Sequence, residues 1–105
     1  MTTEQKSALI AHYWNALRGE NHYFSIHQQD KKNAKARTAY RESVAQLFAI
    51  ENILDIILGI AERDKLREEY ENMHRNDPAA LHRFIDDHYF YNGTETIPEF
   101  EVIKK

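Results

Sequence analysis

The stretch Val44–Ala61 constrains the fold more than any other. It holds thirteen apolar residues in eighteen, interrupted by Gln46, Glu51, Asn52, Asp55 and Gly59. Carboxylates at mid-span are expensive in lipid, so the stretch reads as a helix in a protein core and not as a membrane span. Ten of its side chains are large: Val44, Leu47, Phe48, Ile50, Ile53, Leu54, Ile56, Ile57, Leu58 and Ile60. Burying each contributes roughly 1.5–3 kcal/mol. Leaving three of them bare forfeits roughly 5–9 kcal/mol, against a net domain stability of about 5–15 kcal/mol. Something must cover this helix.

At 100° per residue, Glu51, Asn52, Asp55, Gly59 and Glu62 share one arc of about 100°. The pattern predicts a helix covered on three sides and wet along that arc. Leu66, Tyr70 and Met73 form the apolar stripe of the next segment and project onto the same arc. One straight helix would therefore switch its apolar face to the opposite side. Either the chain breaks between Gly59 and Asp64, with Asp64 as the new N-cap, or one long helix leaves the core and meets a different partner with its other face; the break is the expected reading.

The flanking segments also read as helical. Thr2 with Gln5 resembles a capping box, followed by the stripe Leu9, Ile10, Tyr13, Trp14 and Leu17. Gly19 is a weak point in that helix, costing about 1 kcal/mol, and Phe24 resumes the same face. Asp30 is one candidate cap for the second helix, with a later start near Asn33 or Thr38 as the alternative. Asp77-Pro78 is the clearest boundary, because Pro at the first helical position lacks only an N–H that has no partner there. Leu81, Phe84, Ile85 and Tyr89 then mark a short helix ended by Asn92-Gly93. Three glycines and two prolines in 105 residues leave little room for hairpins. The expected fold is all-α: a bundle of three or four helices, about 3–28, 34–61, 64–75 and 78–90, with an extended C-terminal arm at 92–105, in a single domain.

The chain carries 17 acids against 14 Lys and Arg, a formal charge of −3. That balance disfavours nucleic acid as a partner. No cysteine is present, which excludes disulfides and thiolate metal sites. No signal peptide is visible at the N-terminus, and the expected compartment is the cytoplasm.

Several constellations bear on chemistry. Glu71 and His74 form an E-x-x-H, which puts a carboxylate and an imidazole on one helical face as in di-iron bundles. Such sites need a second copy of the motif, which is absent, so solvated charges such as Glu71–Arg75 are the expected reading. Glu51 and Asp55, one turn apart, would act as an acid/base pair if buried together; water or an Arg37 or Arg41 of a partner chain is the expected neighbour. Lys31, Lys32, Lys35, Arg37 and Arg41 form a basic ridge that could meet phosphates, but Tyr40 is its only aromatic, so no stacking platform accompanies it. Basic residues also sit badly with the dipole at a helix N-terminus.

Arg83 and His88 are spaced Arg-x4-His, and Arg75 and His82 are spaced Arg-x6-His. This spacing is similar to that of the HEPN family of helical-bundle ribonucleases, in which an Arg and a His act at a dimer interface. The resemblance covers residues 75–88. It implies that Arg83 would stabilise charge on a phosphate while His88 acts as acid or base.

The first helix can shelter one side of 44–60 and the two shorter helices a second. A third side is left for a partner, and a symmetric dimer would supply it. The expected function is therefore a small non-catalytic interaction or regulatory module without a cofactor. It would act as a homodimer and bind a further protein. The expected interface is Leu47, Phe48, Leu54, Leu58, Tyr89, Phe90 and Phe100. A ribonuclease using Arg83 and His88, or a nucleic-acid binder using the basic ridge, are the alternatives.

Overall fold

A computed structural model describes residues 2–89. Four helices account for nearly all of them: α1 (Thr3–Gln29), α2 (Ala34–Ile57), α3 (Ile60–Asn76) and α4 (Pro78–Tyr89). Among the described residues there is no strand, and the helices form a bundle. The expected arm at 92–105, with Phe90 and Phe100, lies outside the described residues.

Thr2 caps α1 as its sequence suggests. Its hydroxyl accepts from the Gln5 N–H at 3.1 Å, and Gln5 returns a side-chain acceptor to the Thr2 N–H at 2.9 Å. The helix runs unbroken through Gly19, which is buried. Buried residues Ala11, Tyr13, Trp14, Asn15 and Leu17 face several directions around the helix. Such all-round burial marks a central helix. The start of α2 is set by Asn33, whose side chain accepts from the N–H groups of Lys35 and Ala36. Asp30 is instead the C-cap of α1.

The break after the apolar run falls earlier than 61–64. Leu58 and Gly59 turn the chain, and α3 begins at Ile60 with Gly59 in the N-cap position. Asp64 therefore lies inside the first turns of α3 and caps nothing. Gly59 has φ 90° and ψ 156°, a conformation open almost only to glycine. That backbone, and not a side-chain cap, reverses the chain.

Cross-helix contacts give the topology. Tyr13 meets Glu51, so α2 packs along α1. Lys6–Glu62, Trp14–Leu66 and Asn21–Tyr70 rise together, so α3 runs parallel to α1. Arg18–His82, Trp14–Phe84 and His12–Tyr89 run in opposite order, so α4 is antiparallel to α1. The Trp14 indole N–H donates to the Leu66 carbonyl at 3.0 Å, which satisfies the one polar atom of a large buried ring. The core is Tyr13, Trp14, Leu17, Leu47, Leu54, Leu66, Tyr70, Leu81 and Ile85. No described helix is long and apolar enough to cross a membrane.

Candidate functional site

The inward face of α2 is Ser43, Leu47, Glu51 and Leu54, with Leu58 half-buried just beyond. The spacing is 4, 4, 3, 4, one face of a helix. This overturns the expected orientation. Glu51, assigned above to the wet arc, is buried, with 7% of its surface exposed. The side that faces out carries Phe48, Ile53, Ile56 and Ile57, with Gln46 and Asn52 among them.

A buried carboxylate requires partners, and Glu51 has three. Its Oε2 accepts from the Tyr13 hydroxyl at 2.7 Å and from Arg67 Nη1 at 3.2 Å, and Arg63 Nη1 stands 3.8 Å away. Arg63 is shared with Asp55, donating from Nε at 2.8 Å and from Nη2 at 3.3 Å. It also reaches Asp64 at 3.0 Å. Burial, then the hydrogen bond to Glu51, pushes the Tyr13 phenol well above its usual range. The hydrogen bond to Asp55 does most to hold the Arg63 guanidinium charged. Every carboxylate here is engaged by a cation of its own chain. Neither Glu51 nor Asp55 is free for acid/base work, since arginines of the same chain engage both. The network fastens the corner where α1, α2 and α3 meet.

The pairing carries a sequence signal that apolar periodicity does not show. Glu51 and Arg67 lie eight residues either side of Gly59, and Asp55 and Arg63 four either side. Acids before a glycine mirrored by arginines after it describe a helical hairpin with its cross-links in register.

The outward face of α2 is the second notable surface. Ile53, Ile56 and Ile57, with Ile60 across the turn, are exposed, Ile56 to 85%. Phe48 on the same helix is also exposed. Nothing among the described residues covers this face. The adjoining stretch is basic: Lys31, Lys32, Lys35, Arg37 and Arg41 are all exposed. Among the described residues none of the five forms an ion pair.

The remaining sequence candidates fall as follows. Leu47 and Leu54, expected at an interface, are enclosed within their own subunit and cannot meet a partner. Leu58 is half-buried against the core and Phe48 is exposed. Tyr89 rests on the His12 ring, centroids 4.3 Å apart. Arg83 is exposed on α4. His88 stacks on Phe84 and its Nδ1 lies 3.0 Å from the Phe84 carbonyl. Five residues separate Arg83 from His88, about 140° around the helix, so one helix does not bring them together. His82 faces Arg18 and not Arg75. Glu71 and His74 are both exposed, with His74 stacked on Tyr70. Among the described residues no group of three or more His, Cys, Asp or Glu is placed to hold a metal.

Comparison with known proteins returns no match to this chain: no family model, no curated protein and no solved structure.

Proposed function

We propose that this chain is a small non-catalytic helical module that works by association, with the outward face of α2 seated against a second copy of the chain. The observation that carries the reading is the exposure of Ile53, Ile56 and Ile57 on one face of α2, with Ile60 exposed just across the turn. Full burial of one such side chain contributes roughly 1.5–3 kcal/mol, and about half or more of each is still exposed, so a two-fold contact gains the remainder twice against an association cost of about 4–15 kcal/mol. A contiguous apolar patch of this kind marks a contact surface in a soluble protein. A two-fold pairing uses the same patch twice.

Sedimentation velocity at micromolar concentration tests it. A species of twice the 12.5 kDa chain mass is expected. Ile56→Glu should return it to the single-chain mass with unchanged helical circular dichroism, because Ile56 makes no part of the core. A single-chain mass for the unmodified protein across the concentration range would end the reading.

A further inference from the structure

The end of the bundle where α1 turns into α2 carries a charge unlike that of the chain as a whole. The formal charge of −3 is a sum over all 105 residues, whereas Lys31–Arg41 holds five Lys or Arg and no acid. Asp30 and Glu42 border the run, and neither is ion-paired to it among the described residues. The N-terminus of α2 is the positive end of a helix dipole and has no acidic residue in its first turn. The run itself contains a single aromatic residue, Tyr40. Folding adds two more rings. Phe24 and His27, three residues apart on α1, both meet Tyr40 across the hairpin, with ring centroids 5.6 Å and 5.7 Å from it. His27 stacks on Tyr40 with 11° between the planes. Phe24 keeps 44% of its surface exposed.

We infer that this aromatic and cationic corner binds single-stranded nucleic acid, with a base laid on the exposed Phe24 ring and phosphates held by Lys31, Lys32, Arg37 and Arg41. The corner is separate from the isoleucine face, since Ile53 lies about 18 Å along α2 from Arg41, and it does not depend on the association of two copies.

Sites for single strands combine a cationic track for the backbone with rings on which bases stack, and the corner brings the two together. Arg37 and Arg41 are one turn apart and share an arc of about 100° with Tyr40, so both lie on the side of α2 that carries the ring cluster. Lys31 and Lys32 sit in the turn between the helices, next to the last turn of α1 that holds His27. From Ala34 to Arg41 the helix rises about 10 Å, a length that a few nucleotides of extended strand can follow. All four cations are exposed, and a phosphate would displace no ion pair among the described residues. Lys35 lies about 140° round α2 from Tyr40 and outside the track. A double helix keeps its base faces stacked inside, and a lipid headgroup has no flat ring to lay on Phe24. The exposed ring therefore favours an unpaired strand, whose bases are free to stack on an aromatic side chain.

Fluorescence anisotropy of a labelled oligothymidylate of about 12 nucleotides, titrated with the full chain at about 50 mM salt, tests this. Saturable binding is expected. The logarithm of the binding constant should fall against that of salt concentration with a slope of about −3, because single strands lose roughly 0.7 per phosphate contact and four cations take part. Phe24→Leu keeps an apolar side chain against Tyr40 and should weaken binding about fivefold or more with the slope unchanged. Arg37→Gln with Arg41→Gln, both exposed, should flatten the slope by about 1 to 2, and Lys35→Gln should alter affinity less than that pair does. No anisotropy change up to about 100 μM protein overturns the inference. So does a duplex of the same length bound as tightly as the single strand, an unchanged affinity in Phe24→Leu, or a loss in Lys35→Gln as large as in the arginine pair. Capture by phosphatidylserine vesicles without binding of the oligonucleotide overturns it as well and assigns the corner to a membrane surface.

Discussion

Helices α1 and α2 differ in a way that composition alone would invert. The greasiest run of the sequence belongs to α2, yet its isoleucines at 53, 56 and 57 stand in solvent. The more polar α1 contributes six buried residues, among them Asn15 and Gly19. Position decides this. Helix α1 contacts all three other helices, so even the polar Asn15 is enclosed. On α2, α1 and α3 cover one side, and nothing described covers the other. Burial thus follows the number of neighbouring helices, and a peripheral helix keeps surplus apolar surface exposed.

The two sides of α2 separate most clearly when one aliphatic side chain is truncated on each. Leu54→Ala, at a site with no exposed surface, is expected to lower unfolding free energy by about 2–5 kcal/mol. Ile56→Ala should change it by no more than about 0.5 kcal/mol at dilutions where the chain is monomeric. Urea titration followed by circular dichroism reads both; equal losses would mean that the two sides of α2 are alike.

The network at the α1–α2–α3 corner comes next. Glu51→Ala leaves the buried Tyr13 hydroxyl without its acceptor and removes one partner from Arg67. A loss of about 1–3 kcal/mol is expected, measured in the same titration. Tyr13→Phe in the Glu51→Ala background should then cost less than in the unmodified chain, since the shared bond is already gone.

Gly59→Ala sharpens the account of the hairpin. Nothing lies within 4 Å of an added Cβ, so any cost is backbone strain at φ 90°. A destabilisation of about 1–3 kcal/mol is expected. No measurable change would show that the turn tolerates another conformation.

The smallest effect is in pH. Burial lowers the pKa of His12 and of His22, and His22 Nε2 is enclosed without a hydrogen-bond partner. The folded state therefore resists protonation more than the unfolded chain does. These two groups make stability fall as pH drops from about 6.5 toward their lowered folded values, and leave it unaffected well above 6.5. His12→Gln should flatten the fall in urea midpoint between pH 7 and 5; an unchanged slope would assign the dependence to other groups.

Much of the fold was legible in the residues themselves. The Thr2–Gln5 box, Asn33, and Asp77-Pro78 bound helices through local hydrogen bonds and fixed torsions, which need no knowledge of the rest of the chain. The reversal near Gly59 was inferred from a stripe that jumps sides only if Glu51 faces water; Glu51 is buried, and the turn is set by the Gly59 backbone. The candidate surface was half legible. Excess apolar perimeter on 44–60 can be counted from composition, but the side left bare cannot, because Glu51 breaks the rule that carboxylates face water. Only the folded hairpin brings Arg63, Arg67 and Tyr13 to it, and only a carboxylate so partnered is stable inside. Local chemistry determined where the helices begin and end; long-range pairing of charges decided which way α2 turned and hence which isoleucines remained outside.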